Sequence, residues 1–197
     1  MLRFSNSRIA NGRRLKRLSE SPYAFVIDIG LFMFITLGFH KLWWFFAAEI
    51  KSTTFIQYSA DALAEQVYVV TYWLNEHVFG LRMTAEGWNT MRFENGKALL
   101  VAESCSGLKQ FFQVAVLFIL YPGPWKHKAW FIPLGFVAIH LTNIFRVLVL
   151  SLWMAHDVPH WDFAHDWIMR PMYYVVIFGL WYVWNERFMR KQHKIAQ

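Results

Sequence analysis

The sequence predicts an α-helical multi-pass membrane protein with about four transmembrane helices, an outer amphipathic helix and a small β-hairpin. Three observations predict it. Hydrophobic residues make up 56% of the 197 residues and charged ones only 17%, well below the roughly 25% charge usual in soluble domains. The apolar residues gather in runs near the ~20 residues needed to cross a bilayer. Many of the 11 Trp, 8 Tyr and 19 Phe stand near the ends of those runs, where aromatic belts sit at headgroup level. With no internal repeat, low-complexity tract or long linker, the chain reads as one membrane domain over residues 1–197.

Residues 1–22 form a basic N-terminal segment, with Arg3, Arg8, Arg13, Arg14, Lys16 and Arg17 against the single acid Glu20. The apolar run over 23–44 follows, closed by His40, Lys41, Trp43 and Trp44, side chains suited to an interface. No small-residue cleavage site interrupts it, so it does not read as an ordinary secretory signal. Residues 59–79, SADALAEQVYVVTYWLNEHVF, keep their acids and amides near the ends and read as an amphipathic helix on the outer surface. A crossing there would reverse every later segment.

Between 81 and 103 the pattern shortens. MRFENG followed by KALLVAES reads as two strands with a turn at Asn95–Gly96, because both residues tolerate positive φ. Such a pair cannot lie alone in lipid and belongs in water or against protein. A second apolar run, 108–121, ends at Tyr121-Pro122-Gly123-Pro124, where prolines lack amide hydrogens and glycine permits a turn. The third run, 129–155, is long enough to span with tilt. The fourth covers 167–185, with Arg170 and Pro171 in its first turns.

Charge orients these runs. The N-terminal segment, the loop bearing Lys126 and Lys128, and the tail bearing Arg187, Arg190, Lys191 and Lys194 hold twelve of the 20 Lys and Arg. The connection 156–166 has three Asp and no Lys or Arg. Positive charge concentrates on the cytoplasmic side, which places both termini in the cytoplasm and the acidic connections outside. The net charge of +7 is thereby assigned to topology and anionic lipid, not to nucleic acid.

This topology brings three chemically useful side chains to one side. Cys105, the only cysteine, stands where the outer segment enters the second run. His165 stands just before the fourth. Arg146 lies eight residues before Met154 in the third, about 12 Å below the helix end. A lone cysteine is often a small buried hydrophobe. An arginine at that depth must snorkel, pair with an acid or face a polar cavity, and Asn143, one turn earlier on the same face, can share that cavity. The stretch 156–166 holds three His and three Asp, but their spacing forms no recognisable ligand set. No metal and no cofactor is expected. Two other classes compete at this point: a non-enzymatic membrane assembly subunit, and a small transporter using Arg146.

The segment Ala102-Glu103-Ser104-Cys105-Ser106-Gly107 resembles the A-x-x-C-S-G signature of the exosortase/archaeosortase family, and Asn143-Ile144-Phe145-Arg146 is similar to its N-x-x-R block. His165 falls in the place of the family's histidine, with His160 and His156 as alternatives. The resemblance covers residues 81–188, in a compact form. It implies a membrane cysteine protease or transpeptidase that cleaves envelope proteins bearing a C-terminal sorting signal. It also implies a bacterial inner-membrane location, an active site facing the periplasm, and transfer to a surface glycan or a lipid-linked acceptor. In this reading Cys105 is the nucleophile, His165 the acid–base group and Arg146 the oxyanion partner. Ser106, Asn143, Asp162 and Asp166 support them, Asp162 or Asp166 orienting the histidine. The three principal residues should line one polar cleft, open sideways to lipid as well as to water.

Overall fold

A computed structural model describes residues 24–156 and 159–189. The basic segment 1–22, Asp157 and the basic tail residues Arg190, Lys191 and Lys194 lie outside the described residues, and with them nine of the twelve basic residues that oriented the chain.

The first helix, α1 (Ala24–Phe45), contains no proline and no charge before Lys41 except Asp28. Its 22 residues span ~33 Å at 1.5 Å per residue, close to the hydrocarbon thickness. A short helix, α2 (Ala47–Ser52), leads into α3 (Thr54–His77). The buried positions of α3 are Ala60, Ala64, Val67, Tyr68, Thr71 and Asn75, the spacing of a single helical face. That face packs within the molecule, against the sheet and a later helix. The amphipathic helix expected at 59–79 therefore begins earlier and uses its apolar side internally.

Three strands follow, β1 (Met83–Glu86), β2 (Thr90–Phe93) and β3 (Ala98–Leu100), antiparallel in the order β1-β2-β3. The Asn95–Gly96 turn joins β2 to β3 as expected, with Gly96 at φ +80, while β1 makes the hairpin a three-stranded sheet. Met91 and Phe93 alternate inward and Arg92 outward, the two-residue period of a half-covered sheet. Outside, Arg92 bonds Glu86, which holds that carboxyl below the usual range. Inside, the sheet is fastened to helices. The Tyr68 and Tyr72 hydroxyls donate to the carbonyls of Thr90 and Met83 at 3.4 Å each. Asn95 Nδ2 donates to the carbonyls of Met154 and Ala155 at 2.8 and 3.2 Å, so the turn residue also satisfies the end of the long helix.

A 3₁₀ turn (Glu103–Cys105) and the left-handed Gly107 lead into α4 (Leu108–Leu120). The helix stops after 13 residues because Tyr121, preceding Pro122, is extended. The longest helix, α5 (Trp125–Ala155), has 31 residues with Pro133 inside it. Lys128, expected as a charge of a cytoplasmic loop, is buried at 3% exposure. Its ammonium donates to the carbonyls of Ile119 at 3.1 Å and Tyr121 at 2.7 Å, capping α4 with a cation where the helix dipole is negative.

The last segment is helical without a break: α6 (Trp161–Phe163), a π-helical turn (Ala164–Met169), α7 (Arg170–Trp184) and a second π-helical turn (Asn185–Met189). One core joins α1, α4, α5 and α7 through Phe32, Phe118, Phe131, Ile177, Trp181 and Trp184. A second joins α3, the sheet and α5 through Val67, Met91, Phe93, Val101 and Val147. Large apolar side chains also face outward, including Phe34 at 77% and Val175 at 69% exposure. Helices apolar on both faces are suited to lipid as their solvent.

Among the described residues two helical stretches are long and apolar enough to cross a membrane, Phe25–Phe45 and Trp125–Ala155. This corrects the expectation of about four. The second run is clipped by Gly107 and Pro122, and the fourth is divided by wide turns into an α segment of 15 residues.

Candidate active site

Cys105 is half-buried at the end of the 3₁₀ turn, packed against the second core. Three hydrogen bonds hold the turn that carries it. The Cys105 amide donates to the Ala102 carbonyl at 2.8 Å. Ser106, buried, accepts the Leu108 amide on its hydroxyl at 3.2 Å, an ST-type turn that starts α4. From α5, the Asn143 side-chain amide donates to the Cys105 carbonyl. Asn143 is fully buried, and its own oxygen accepts the hydroxyl of Tyr173 on α7. The turn carrying the thiol is thus tied through one amide to two other helices.

Gly107 makes the close approach of α5 to this turn feasible. It sits at φ +76, and a Cβ there would stand 3.3 Å from Asn143 Nδ2. A side chain in this backbone region costs about 1–2 kcal/mol. Gly107→Ala is expected to lower the unfolding temperature in detergent by about 2–8 °C, and to slow alkylation-sensitive function at Cys105 by displacing Asn143. Scanning calorimetry with thiol-alkylation rates checks this. An alanine variant equal to the native protein in both would show that the turn relaxes freely.

Arg146 lies one turn beyond Asn143 and is 6% exposed, turned into the protein. Its Nη2 meets His165 Nε2 at 3.1 Å, and its guanidinium lies 5.8 Å from the centre of the Tyr173 ring. On the other edge, His165 Nδ1 meets Asp166 Oδ1 at 2.7 Å. Since a guanidinium has no lone pair, it donates to Nε2, and the neutral imidazole then carries its proton on Nδ1 and donates it to Asp166. Arg170 completes the row at 3.2 Å from Asp166, and Trp161 stacks on the imidazole with ring centres 4.8 Å apart. Arg146 Nε is buried without a partner among the described residues.

The structure therefore brings Arg146, His165 and Asp166 into one hydrogen-bonded row, and joins Cys105 and Asn143 in another. Tyr173 touches both rows: it bonds Asn143, stacks under Arg146, and lies within electrostatic reach of Cys105. Among the described residues no hydrogen bond joins the thiol directly to His165. Of the two aspartates, Asp166 meets the imidazole and Asp162 is exposed; His156 and His160 are exposed as well. Among the described residues no group of three or more His, Cys, Asp and Glu converges as a metal site.

Sequence reasoning missed Tyr173, Trp161 and the structural part of Gly107. Gly107 was already in view within the quoted motif. Tyr173 sits in an apolar run with nothing to mark it. The π-helical turn was also invisible, yet it explains how His165 and Asp166, adjacent in sequence, act on one row; such wide turns recur at functional sites.

A family model described as transmembrane exosortase matches residues 23–187. No curated protein and no solved structure matches the chain significantly.

Proposed function

The chain belongs to the transmembrane exosortase family, and from that premise we propose that it is a membrane-embedded cysteine peptidase or transpeptidase. Its substrates are envelope proteins ending in a sorting signal, cut on the extracytoplasmic side and passed to water or to a surface acceptor. The observation that carries this reading is the pairing of a buried, inward-turned Arg146 with His165 and Asp166 beside a thiol whose turn is held by Asn143. The topology that goes with it has both termini in the cytoplasm.

In this mechanism the Cys105 thiolate attacks the scissile carbonyl, forming a C–S bond while the carbonyl oxygen becomes an oxyanion. His165 takes the thiol proton on Nε2 and returns it to the leaving amine as the C–N bond breaks. Asp166 holds the Nδ1 proton, which keeps the Nε2 lone pair available. Nε2 faces Arg146 in the resting arrangement, so substrate entry must draw the guanidinium from the ring to the oxyanion. The Nε of Arg146, without a partner among the described residues, supplies a second donor for that oxygen. Water or an acceptor amine or hydroxyl then opens the thioester. Asn143 and Tyr173 are positioning residues, setting the thiol and the guanidinium from one anchor.

The test is reconstitution with membrane proteins from the same cell that end in a shared short motif, a hydrophobic helix and a basic cluster. Intact-mass analysis reads the new C-terminus: a free acid reports hydrolysis, an adduct reports transfer. Candidate substrates that all stay full-length with active-form protein would overturn the assignment. Tyr173→Phe keeps the ring under Arg146 but leaves Asn143 Oδ1 unpaired, a loss of about 1–3 kcal/mol in a buried setting. Processing is expected to slow roughly tenfold or more with little change in the substrate concentration giving half-maximal rate. An unaltered rate would remove Tyr173 from the site.

A further inference from the structure

We propose that Lys109, His40 and Tyr174 form a binding site for the phosphate of an anionic lipid, beside the candidate active site and outside its machinery. The cluster draws on three helices. Lys109 is in the first turn of α4, His40 near the end of α1, and Tyr174 near the start of α7. Lys109 Nζ lies 3.3 Å and the Tyr174 hydroxyl 3.4 Å from the same atom, His40 Nδ1. Lys109 also sits over the ring of Trp44, 4.9 Å from its centre.

The hydrogen bonding decides what this group can hold. An ammonium has no lone pair, so Nδ1 must accept from it, and the imidazole proton then resides on Nε2. The cluster therefore offers an Nε2–H donor and the remaining ammonium hydrogens of Lys109. Among the described residues no carboxylate pairs with Lys109, and the nearby Lys41 adds a second cation. Two positive charges, an extra donor and no acid call for a polyvalent oxygen anion with net negative charge.

The surroundings favour a lipid as its carrier. Trp44 and Leu42 are exposed on α1, at 58% and 59%, and Trp43 packs on the half-exposed Phe112 of α4 with ring centres 5.7 Å apart. Indole rings with a polar edge beside apolar surface are the residues of a headgroup boundary. Acyl chains can lie along the apolar side chains while the phosphate meets Lys109. The absence of an acidic partner selects an anionic headgroup over one carrying its own ammonium.

The experiment uses full-length Cys105→Ala protein, so that its outcome is independent of the chemistry proposed above. Protein in mixed micelles of phosphatidylglycerol and phosphatidylcholine is transferred to native mass spectrometry, and retained lipids are counted. Preferential retention of phosphatidylglycerol is expected, falling about fivefold in Lys109→Gln, less in Tyr174→Phe, and persisting in Lys109→Arg. Lys41→Gln reports the effect of a surface cation alone and should fall less than Lys109→Gln. Retention unchanged in Lys109→Gln, or reduced equally in Lys41→Gln, overturns the site. Loss in Lys109→Arg as in Lys109→Gln overturns the charge assignment. Displacement of the lipid by millimolar inorganic phosphate, with no preference between headgroups, would show a free-anion site instead.

Discussion

Cys105→Ala protein is expected to accumulate in the membrane, keep its fold and leave its substrate uncut, with processing reduced about a thousandfold or more. The magnitude follows from removing the atom that forms the covalent bond, since the remaining groups stabilise a transition state that no longer has an attacking sulfur. Stability should change little. The thiol is half-buried at the end of a turn, and the contacts that hold the turn come from backbone atoms and from Ser106 and Asn143. Uncut substrate and enzyme should co-purify at higher yield than in the active protein, because the complex cannot go forward. Quantitative immunoblotting of full-length and processed substrate, with a detergent melting curve as control, decides it. Full processing by a folded Cys105→Ala protein would end the cysteine mechanism. Cys105→Ser is the finer probe: a hydroxyl is a far weaker nucleophile than a thiolate, so most activity should vanish there too.

Arg146→Lys is expected to lower processing by about 10²–10³-fold, the range found when one oxyanion donor is lost. Lysine retains the charge but not the planar fork, so it cannot present two fixed donors to the oxyanion once the group leaves the His165 ring. Arg146→Met should be as inactive and also less stable. It removes the charged donor to His165 Nε2, and a hydrogen bond to a charged group contributes about 1.5–3 kcal/mol. The contrast between the two variants separates chemistry from folding. A lysine variant that folds normally and processes at the native rate would reduce Arg146 to a structural cation.

The residues show where sequence reasoning reached and where it stopped. Membrane character was legible because hydropathy is a sum over neighbours, and neighbours in a helix stay neighbours. The hairpin turn was legible because Asn95–Gly96 determines its own backbone. The count of crossings was not, because hydropathy does not register where a helix starts and stops. Gly107 and the extended Tyr121 clip the second run, and π-helical turns flank the α segment of the fourth. Lys128 was misplaced for a related reason: its charge marks an interface, but its cap on α4 depends on the chain doubling back through Pro122–Pro124.

By itself, then, the sequence determined a largely helical membrane protein, its family, and the residue types Cys105, Arg146 and His165 on three successive segments. Only the tertiary structure decided their partners. Whether Arg146 meets an acid, lipid or His165 depends on how α5 and the π-helical turn before α7 face each other, and Nη2 meets Nε2 across 19 residues of chain. The choice of Asp166 over Asp162 depends on that wide turn. Asn143 reaches the Cys105 carbonyl across 38 residues, and Tyr173 reaches Asn143 across 30. Side-chain periodicity gives the face a residue occupies on its own helix. Which face of another helix lies opposite is set by packing between them, and that packing satisfies the buried polar groups.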